Sequence, residues 1–179
     1  RYYQLGEFKL RDMIYDMKRA KRFIFIEYFI INEGILWSAI YEVLREKARE
    51  GVEIRILYDD LGSIINLSKE FIKQLENDGI KVMAFNPVHR YVSRFYLNFR
   101  NHQKIVVIDG NIGYTGGANL ADEYANLYEK YGHWKDTAIR LEGEAVWTLT
   151  VTFLQMWQAE SRIEEDYEKY RPTYIIPGD

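Results

Sequence analysis

Residues 102–119 read HQKIVVIDGNIGYTGGAN, and this stretch decides the fold. Its apolar runs at 104–108 and 112–115 predict two strands, and the Asp-Gly-Asn sequence between them is a strong signal for a tight hairpin turn. Side chains alternate along a strand, so His102 and Lys104 are expected to point to the same face. A nucleophile or acid/base group then stands beside a fixed positive charge, a pairing that suits chemistry on a phosphate.

The rest of the chain alternates between helical and strand patterns. Apolar residues at helical spacing predict helices at 8–20, 37–50, 68–77, 120–128 and 144–163. Alternating or continuous apolar runs predict further strands at 22–31, 52–58, 80–85 and 134–141. We therefore expect an α/β fold, in which a mixed β-sheet is flanked by helices on both faces and one hairpin is embedded at the central motif.

Composition and charge restrict the class of protein. The 179 residues suffice for one compact α/β domain, and the net charge of −3 offers no global basic field for binding DNA. The absence of cysteine excludes disulfides, thiolate metal sites and a cysteine nucleophile. The longest apolar run, at 22–31, is interrupted by a glutamate and is too short to span a bilayer. Because the net charge is negative, nucleic acid is not the partner that we expect.

Both ends of the chain suggest that it is part of a longer protein. It begins at Arg1 without a methionine, and its last residues, IIPGD, resemble a linker. The stretch at 164–179 is first charged and then contains proline. We predict a catalytic half-domain at 1–163 and a linker at 164–179 that leads toward a second half-domain.

The central motif resembles a known signature. The pattern HxKxxxxD at 102–109, followed by GGxN at 116–119, resembles the HKD motif of the phospholipase D superfamily. The segments IFIEYFII, KAREGVEIRILYDDLGS, NDGIKVMAFNP and YGHWKDTAIRLEGEAV are similar to the first catalytic half of bacterial cardiolipin synthases. The resemblance covers most of the chain and implies a phospholipase D-like α/β/α sandwich. One departure is Gly117, where many superfamily members have serine.

The residue types in the motif fit attack on a phosphodiester. Catalysis on this anionic group rests on positioning and on neutralising charge at the equatorial oxygens. We expect Lys104 to supply a point charge and Asn119 a neutral donor. Backbone N–H groups at Gly116 and Gly117 can approach the substrate closely, because no Cβ intrudes. Neutral His102 can then attack phosphorus, and the resemblance implies a covalent phosphohistidine. No metal or other cofactor is expected, because lysine and asparagine hold the phosphate.

Several carboxylates are candidates for supporting roles. The resemblance implies that a carboxylate after the motif fixes the tautomer of the catalytic histidine, and Asp136 occupies the matching position; a surface carboxylate at a strand end is the alternative. Asp109 is counted with the catalytic motif but ranked below its histidine and lysine, because turns favour aspartate for backbone reasons. Glu27 lies in an apolar strand, where burial is costly without a partner. It is either a pocket residue that supports substrate binding or an interface or lid contact. Asp59 and Asp60 end a strand; we interpret them as a helix-entry turn, and a position at the mouth of the pocket is the alternative.

An irregular stretch at 86–101 leads into the motif. Residues 88–108 contain basic residues interleaved with aromatic ones and no acidic residue. The basic residues are Arg90, Arg94, Arg100 and Lys104, and the aromatic ones are Tyr91, Phe95, Tyr96 and Phe99. This composition suits an anionic lipid interface and also single-stranded nucleic acid; a loop that only covers the core is the alternative. We expect substrate entry here, with Arg94 and Arg100 contacting the substrate.

The leading hypothesis is a phosphatidyltransferase half-domain. It would move a phosphatidyl group from one phosphatidylglycerol to the hydroxyl of another, yielding cardiolipin and glycerol, at the cytoplasmic face of the cell membrane. Two HKD motifs meet in the superfamily and this chain has one, so we expect a second half-domain or a homodimer to complete the site. The isolated monomer should be inactive. The alternatives are a phosphodiesterase or nuclease that acts as a dimer, and a catalytically incomplete lipid-binding domain.

Overall fold

A single mixed sheet organises the chain. The computed structural model describes residues 1–63, 66–88 and 98–173, and within them seven strands form the sheet in the order β1-β7-β6-β5-β2-β3-β4. The strands are β1 Tyr2–Tyr3, β2 Phe23–Tyr28, β3 Glu53–Asp59, β4 Lys81–Phe85, β5 Lys104–Ile108, β6 Ile112–Gly116 and β7 Ala138–Glu142. Strands β2, β3 and β4 are parallel, whereas β5 is antiparallel to both β2 and β6. The predicted mixed sheet and its embedded β5–β6 hairpin are confirmed.

Helices cover both faces of the sheet. They are α1 Gly6–Met17, α2 Ile35–Arg49, α3 Asp60–Ser63, α4 Lys69–Asn77 and α5 Val146–Ser161, with short 3-10 turns at Asp122–Ala125, Gly143–Ala145 and Tyr167–Tyr170. One hydrophobic cluster joins α1, α2 and α4 to the sheet, and a second joins α5 to the opposite face. The predicted α/β class with helices on both faces is thus confirmed. Within the described residues, no helix has the length and apolar character needed to cross a membrane.

Strand β2 shows why the pattern produces two layers. All six of its residues are buried, and apolar residues occupy both faces of the strand, with Glu27 as the one charged exception. Ile24 and Ile26 point into the cluster with α1 and α2, whereas Phe23 and Phe25 point toward α5. The rings of Phe25 and Phe153 stack with centroids 4.5 Å apart. A strand that contacts helices on both sides belongs near the middle of the sheet, where β2 is found.

Two elements near the carboxyl-terminal third differ from their prediction. The helix predicted at 120–128 is wrong, because only a 3-10 turn at Asp122–Ala125 forms before Asn126 adopts a left-handed backbone with φ of +54°. The Asn126 side chain then accepts from the Trp134 N–H at 2.6 Å and donates to the Trp134 carbonyl at 3.0 Å. Those backbone groups are therefore not available to a neighbouring strand. This explains why β7 begins later than the strand predicted at 134–141.

The described part of the expected linker packs against the sheet. Tyr170 is 2% exposed and its ring contacts Phe23 and Phe25, with centroids 5.0 Å apart in each case. Arg55 on β3 donates to Glu165 at 2.6 Å and to the Tyr170 hydroxyl at 2.7 Å. Arg55 is buried on this face and needs anionic and hydroxyl acceptors, which residues 164–173 provide. Residues 174–179 lie outside the described residues.

The sheet topology brings several chain segments together at one edge of the sheet, namely the edge formed by the last residues of β2, β3 and β6 and the first residues of β5 and β7. Tyr28 at the end of β2 pairs with Lys104 at the start of β5, and Gly116 at the end of β6 pairs with Ala138 at the start of β7. The parallel strand β3 ends at the same edge as β2. The loops that follow β2, β3 and β6 and precede β5 and β7 therefore meet there, and the motif histidine and lysine lie among them.

Candidate active site

His102 and Lys104 lie side by side just where β5 begins. The Lys104 ammonium donates to the His102 carbonyl oxygen at 2.6 Å, and its Nζ lies 3.1 Å from His102 Nδ1. Lys104 is buried, whereas His102 is exposed and its ring contacts that of Phe29 at 4.8 Å. A charged Lys104 can only donate, so Nδ1 accepts and the proton of a neutral imidazole resides on Nε2. The predicted juxtaposition of imidazole and ammonium is present.

A cavity opens beside this pair. It has a volume of about 350 Å³ and lies between the start of β5, the end of β6 and α5. Its lining residues are His102, Gln103, Lys104, Ile105, Thr115, Gly116, Leu149 and Thr152. A larger cavity of about 590 Å³ lies between α1 and α2, remote from the motif and lined by surface charges. Within the described ranges, no group of three or more His, Cys, Asp or Glu side chains is placed to hold a metal ion.

Burial sets the charge state of the pair. It lowers the pKa of Lys104 to about 8, against the opposing effect of the Asp136 carboxylate. Burial and then the Lys104 charge lower the pKa of His102 below its usual range, and Asp59 acts in the opposite direction. Near neutral pH the site therefore combines an uncharged imidazole with a cation. An uncharged imidazole is the form that can act as a nucleophile.

Asp136 acts electrostatically on the lysine of the pair. Its carboxylate accepts from the Trp134 indole N–H at 3.4 Å and from the Thr137 backbone N–H at 2.9 Å. The carboxylate influences the pKa of Lys104, and no hydrogen bond joins it to His102 among the described residues. We predicted that Asp136 orients His102. In the structure its carboxylate instead favours the charged form of Lys104.

Asn119 is held with its amide nitrogen available. The side chain is 4% exposed, and its Oδ1 accepts from the Ile30 backbone N–H at 3.1 Å. This bond joins the segment after β6 to the segment after β2. Because the oxygen is engaged, the amide nitrogen is the group left to donate, which is the orientation that phosphate binding requires.

The two glycines of the motif lie where β6 and the segment leading into β7 come close together. A Cβ at Gly116 would lie 2.6 Å from the Thr137 carbonyl oxygen and 2.7 Å from the Ala138 Cβ. Only glycine allows the two strands to come so close. The Gly117 backbone N–H donates to the Thr137 carbonyl at 3.2 Å. That N–H is already bonded, which corrects the prediction that it holds a phosphate.

The family follows from a match over most of the chain. Residues 13–157 match the family described as "Cardiolipin synthase, PLD-like domain". The chain belongs to this family. A cardiolipin synthase from Oceanobacillus iheyensis is 40% identical over 166 residues, which cover 90% of this chain and 34% of that protein. Cardiolipin synthase 2 from Bacillus cereus is 43% identical over 152 residues, covering 85% of this chain and 29% of that protein. The chain spans about a third of the length of these curated relatives.

A solved structure shares the fold. NucT from Helicobacter pylori superposes with a TM-score of 0.66 at 17% sequence identity, over 88% of this chain and 94% of that chain. At this identity the likeness concerns the fold alone. It agrees with the mixed sheet and flanking helices described above, and the phospholipase D-like architecture expected from the sequence is confirmed.

Asp109 is placed away from the cavity of this cardiolipin synthase-like domain. It follows the far end of β5, and its carboxylate accepts from the backbone N–H groups of Lys21, Arg22 and Phe23 at 2.7–3.0 Å. Its own backbone has φ of +56°, as the hairpin turn requires. The inclusion of Asp109 among the catalytic residues is therefore corrected: its carboxylate fixes the entry to β2 against the hairpin.

Two charged residues that were predicted to serve substrate binding, Arg100 and Glu27, do not line the cavity, whereas Gly116 does. Arg100 donates to Asp59 at 3.3 Å and to the Asn86 carbonyl at 3.0 Å, so its guanidinium is already engaged. Glu27 is 0% exposed and binds Asn101 instead of lining the cavity. The direct substrate contact predicted for Arg100 is thus corrected, because a buried charge needs an internal partner. The supporting role predicted for Glu27 stays a prediction. Arg94 lies outside the described residues.

Sequence reasoning missed a buried lysine behind the site. Lys9 on α1 is 2% exposed, and its Nζ donates to the Tyr28 hydroxyl at 2.6 Å. Tyr28 pairs with Lys104 across β2 and β5. Burial lowers the pKa of Lys9 to about 7, and Asp136 opposes this. The signal was present: Lys9 lies four residues before Met13, on the apolar stripe of its helix.

Proposed function

We propose that the protein carrying this chain is a phosphatidyltransferase. It would move a phosphatidyl group from one phosphatidylglycerol to the hydroxyl of another, yielding cardiolipin and releasing glycerol. The single observation that carries the proposal is the uncharged His102 imidazole beside the Lys104 ammonium at a cavity, in a chain of the cardiolipin synthase family. An exposed imidazole next to a buried cation suits nucleophilic attack on an anionic phosphodiester.

The proposed first step forms a covalent phosphohistidine. Imidazole Nε2 attacks phosphorus, and the bond from phosphorus to the glycerol oxygen breaks as that oxygen takes a proton from an acid on the far side. The unliganded arrangement has Lys104 donating to Nδ1, which leaves the proton on Nε2. A bound phosphate competes for the ammonium, and the imidazole can then carry its proton on Nδ1 and present Nε2 for attack. Asn119 would donate to a second phosphate oxygen.

The second step transfers the group to the acceptor. The hydroxyl of another phosphatidylglycerol attacks phosphorus, its proton is removed by a base, and the bond from nitrogen to phosphorus breaks to regenerate His102. One imidazole cannot stand on both sides of an in-line displacement. We therefore propose that a second HKD half-domain, in the same protein or in a second copy of this chain, supplies the acid and base. The exposed His102 is open to such a partner.

We also propose that this edge of the sheet meets an anionic membrane surface, at the cytoplasmic face. Exposed apolar side chains lie in the segments that leave the sheet at the edge bearing the site. They are Phe99, Leu127, Tyr128 and Tyr131. Aromatic side chains with polar tips suit the boundary between headgroups and acyl chains.

Liposomes of phosphatidylglycerol test the proposal. The full-length protein that carries this chain should produce cardiolipin and glycerol, measured by mass spectrometry, and His102→Ala should lower kcat by on the order of 10³ or more. His133→Ala is the matched control, because His133 is exposed and pairs only loosely with Glu7 at 3.7 Å. In a parallel assay on DNA, cleavage without lipid transfer would favour a nuclease. Unchanged lipid turnover in His102→Ala would remove His102 from the mechanism and leave this domain a lipid-binding role; either result overturns the proposal.

A further inference from the structure

Asn101, the residue before His102, is held by three hydrogen bonds. Its backbone N–H donates to Asp59 Oδ2 at 2.8 Å, and its side-chain Nδ2 donates to Glu27 Oε1 at 2.5 Å. Its Oδ1 accepts from the Gln103 backbone N–H at 3.1 Å. The residue is 6% exposed and does not line the cavity. Asn101 is thus bonded to internal partners through its backbone N–H, its Nδ2 and its Oδ1.

The two carboxylates that hold Asn101 belong to adjacent strands. Glu27 on β2 pairs with Leu57 on β3, so Asp59 lies two residues further along the same face. Both carboxylates are 0% exposed. Asp59 is further fixed by Arg100 at 3.3 Å and by the Gly62 backbone N–H at 3.1 Å. The anchors of Asn101 therefore belong to the rigid part of the sheet.

These bonds act on the backbone of His102. The bond from Gln103 N–H to Asn101 Oδ1 closes a turn in which His102 is the central residue. On the other side, Lys104 donates to the His102 carbonyl oxygen at 2.6 Å. The imidazole itself is exposed and is contacted by Lys104 and the Phe29 ring. Its direction consequently depends on the backbone from which it projects.

We propose that Asn101 is a positioning residue for His102, and that Glu27 and Asp59 act on the reaction through it. The inference rests on the proposed function, because it assigns the turn a role in aiming the attacking imidazole. When the Asn101 amide is lost, the turn at 101–103 relaxes and His102 spends less time in line with phosphorus. Misplacement of a reacting group by about 1 Å can cost about a hundredfold in rate. Substrate binding is not affected, since none of the three residues lines the cavity.

Kinetics of the full-length protein on phosphatidylglycerol liposomes test the inference. Asn101→Ala and Glu27→Leu should lower kcat by about a hundredfold with little change in KM. Glu27→Gln keeps an oxygen that accepts from Asn101, so its kcat should stay close to that of the wild type. Leucine fits the buried position of Glu27 between Leu57 and Ile105. If Glu27→Leu does not fold, the contrast between Asn101→Ala and Glu27→Gln decides.

Hydrogen exchange gives a readout that does not depend on turnover. The Gln103 amide should exchange faster in Asn101→Ala and Glu27→Leu than in the wild type or Glu27→Gln, while the amides of β2 and β3 keep their protection. If the wild type is inactive but this exchange pattern is observed, the proposed function is wrong, whereas the hydrogen-bonded turn at 101–103 is supported. In an active enzyme, an unchanged kcat in Asn101→Ala overturns the positioning role. Loss of kcat without faster exchange at Gln103 overturns it as well.

Discussion

Gly117 and Asp136 compete for the same space: a Cβ at residue 117 would lie 2.5 Å from the Asp136 Cγ. The absence of a side chain at residue 117 therefore lets the carboxylate lie against the backbone that directly follows β6. From there it raises the pKa of Lys104 against the effect of burial. Gly117, which departs from the serine expected from the family resemblance, is thereby linked to the charge of Lys104.

Asp136→Asn should move the alkaline limb of the pH–rate profile. In the wild type the pKa of Lys104 is about 8, lowered by burial and raised by Asp136. Without the carboxylate this pKa falls further, so the ammonium is lost at a lower pH and kcat declines about one pH unit earlier. The acid limb, which His102 governs, should stay in place. Equal movement of both limbs, or of neither, contradicts the prediction.

Gly117→Ala should act through Asp136. A methyl group at this position displaces the Asp136 carboxylate from the backbone at residue 117. The alkaline limb of the pH–rate profile should therefore shift in the same direction as in Asp136→Asn. The double variant should then resemble Asp136→Asn alone, because the two changes remove one interaction. A double-mutant cycle on kcat at pH 8 measures this. Additive losses show that Gly117 matters for a different reason.

Lys9→Met should change the pH dependence of stability. The pKa of Lys9 is about 7 in the folded protein and 10.5 as its ordinary value, so the unfolded chain binds more protons between these limits. Stability of the wild type therefore rises with pH across this window, relative to Lys9→Met, by about 1.4 kcal/mol per pH unit at most. Urea unfolding at pH 7, 8 and 9 checks this, with exposed Lys18→Met as control. A pH-independent difference refutes the buried-amine interpretation.

Glu53→Gln should destabilise the protein at neutral but not at strongly acidic pH. Burial opposes ionisation of Glu53, yet Lys81 and Arg55 lower its pKa to about 2 from an ordinary 4.5. The stability it adds is present above pH 4.5 and is lost as the pH falls toward 2. We expect a loss of about 1–2 kcal/mol in the free energy of unfolding at pH 7. Glu50→Gln, an exposed carboxylate with one lysine partner, is the matched control; equal effects of the two changes contradict the prediction.

Local patterns predicted the hairpin and the juxtaposition of His102 and Lys104. The alternation rule placed His102 and Lys104 on one face, and the Asp-Gly-Asn turn fixed the register of β5 with β6. Both inferences involve residues close in sequence. The apolar run of β2 likewise carried enough information to place it in the core.

The remaining site contacts join distant parts of the chain. The partners Asn101 and Glu27 are separated by 74 residues, and Asn101 and Asp59 by 42. These pairs depend on the order in which β5, β2 and β3 lie in the sheet, which no local pattern encodes. Arg100 was consequently assigned to a substrate when its partner is Asp59. The helix predicted at 120–128 failed for a different, local reason: Asn126 adopts a left-handed backbone and bonds with Trp134, eight residues away.

Strand β5 is the fourth of seven, so both of its edges are bonded to neighbours, to β2 on one side and β6 on the other. Its first residue, Lys104, therefore stands on the part of the sheet least able to fray or swing. The surrounding loops are connected to other strands. They can therefore differ in length or composition without loosening β5, which holds Lys104. For the proposed phosphatidyl transfer, the periphery of the domain would then select the acceptor alcohol, while the Lys104 charge stays fixed in the register of the sheet.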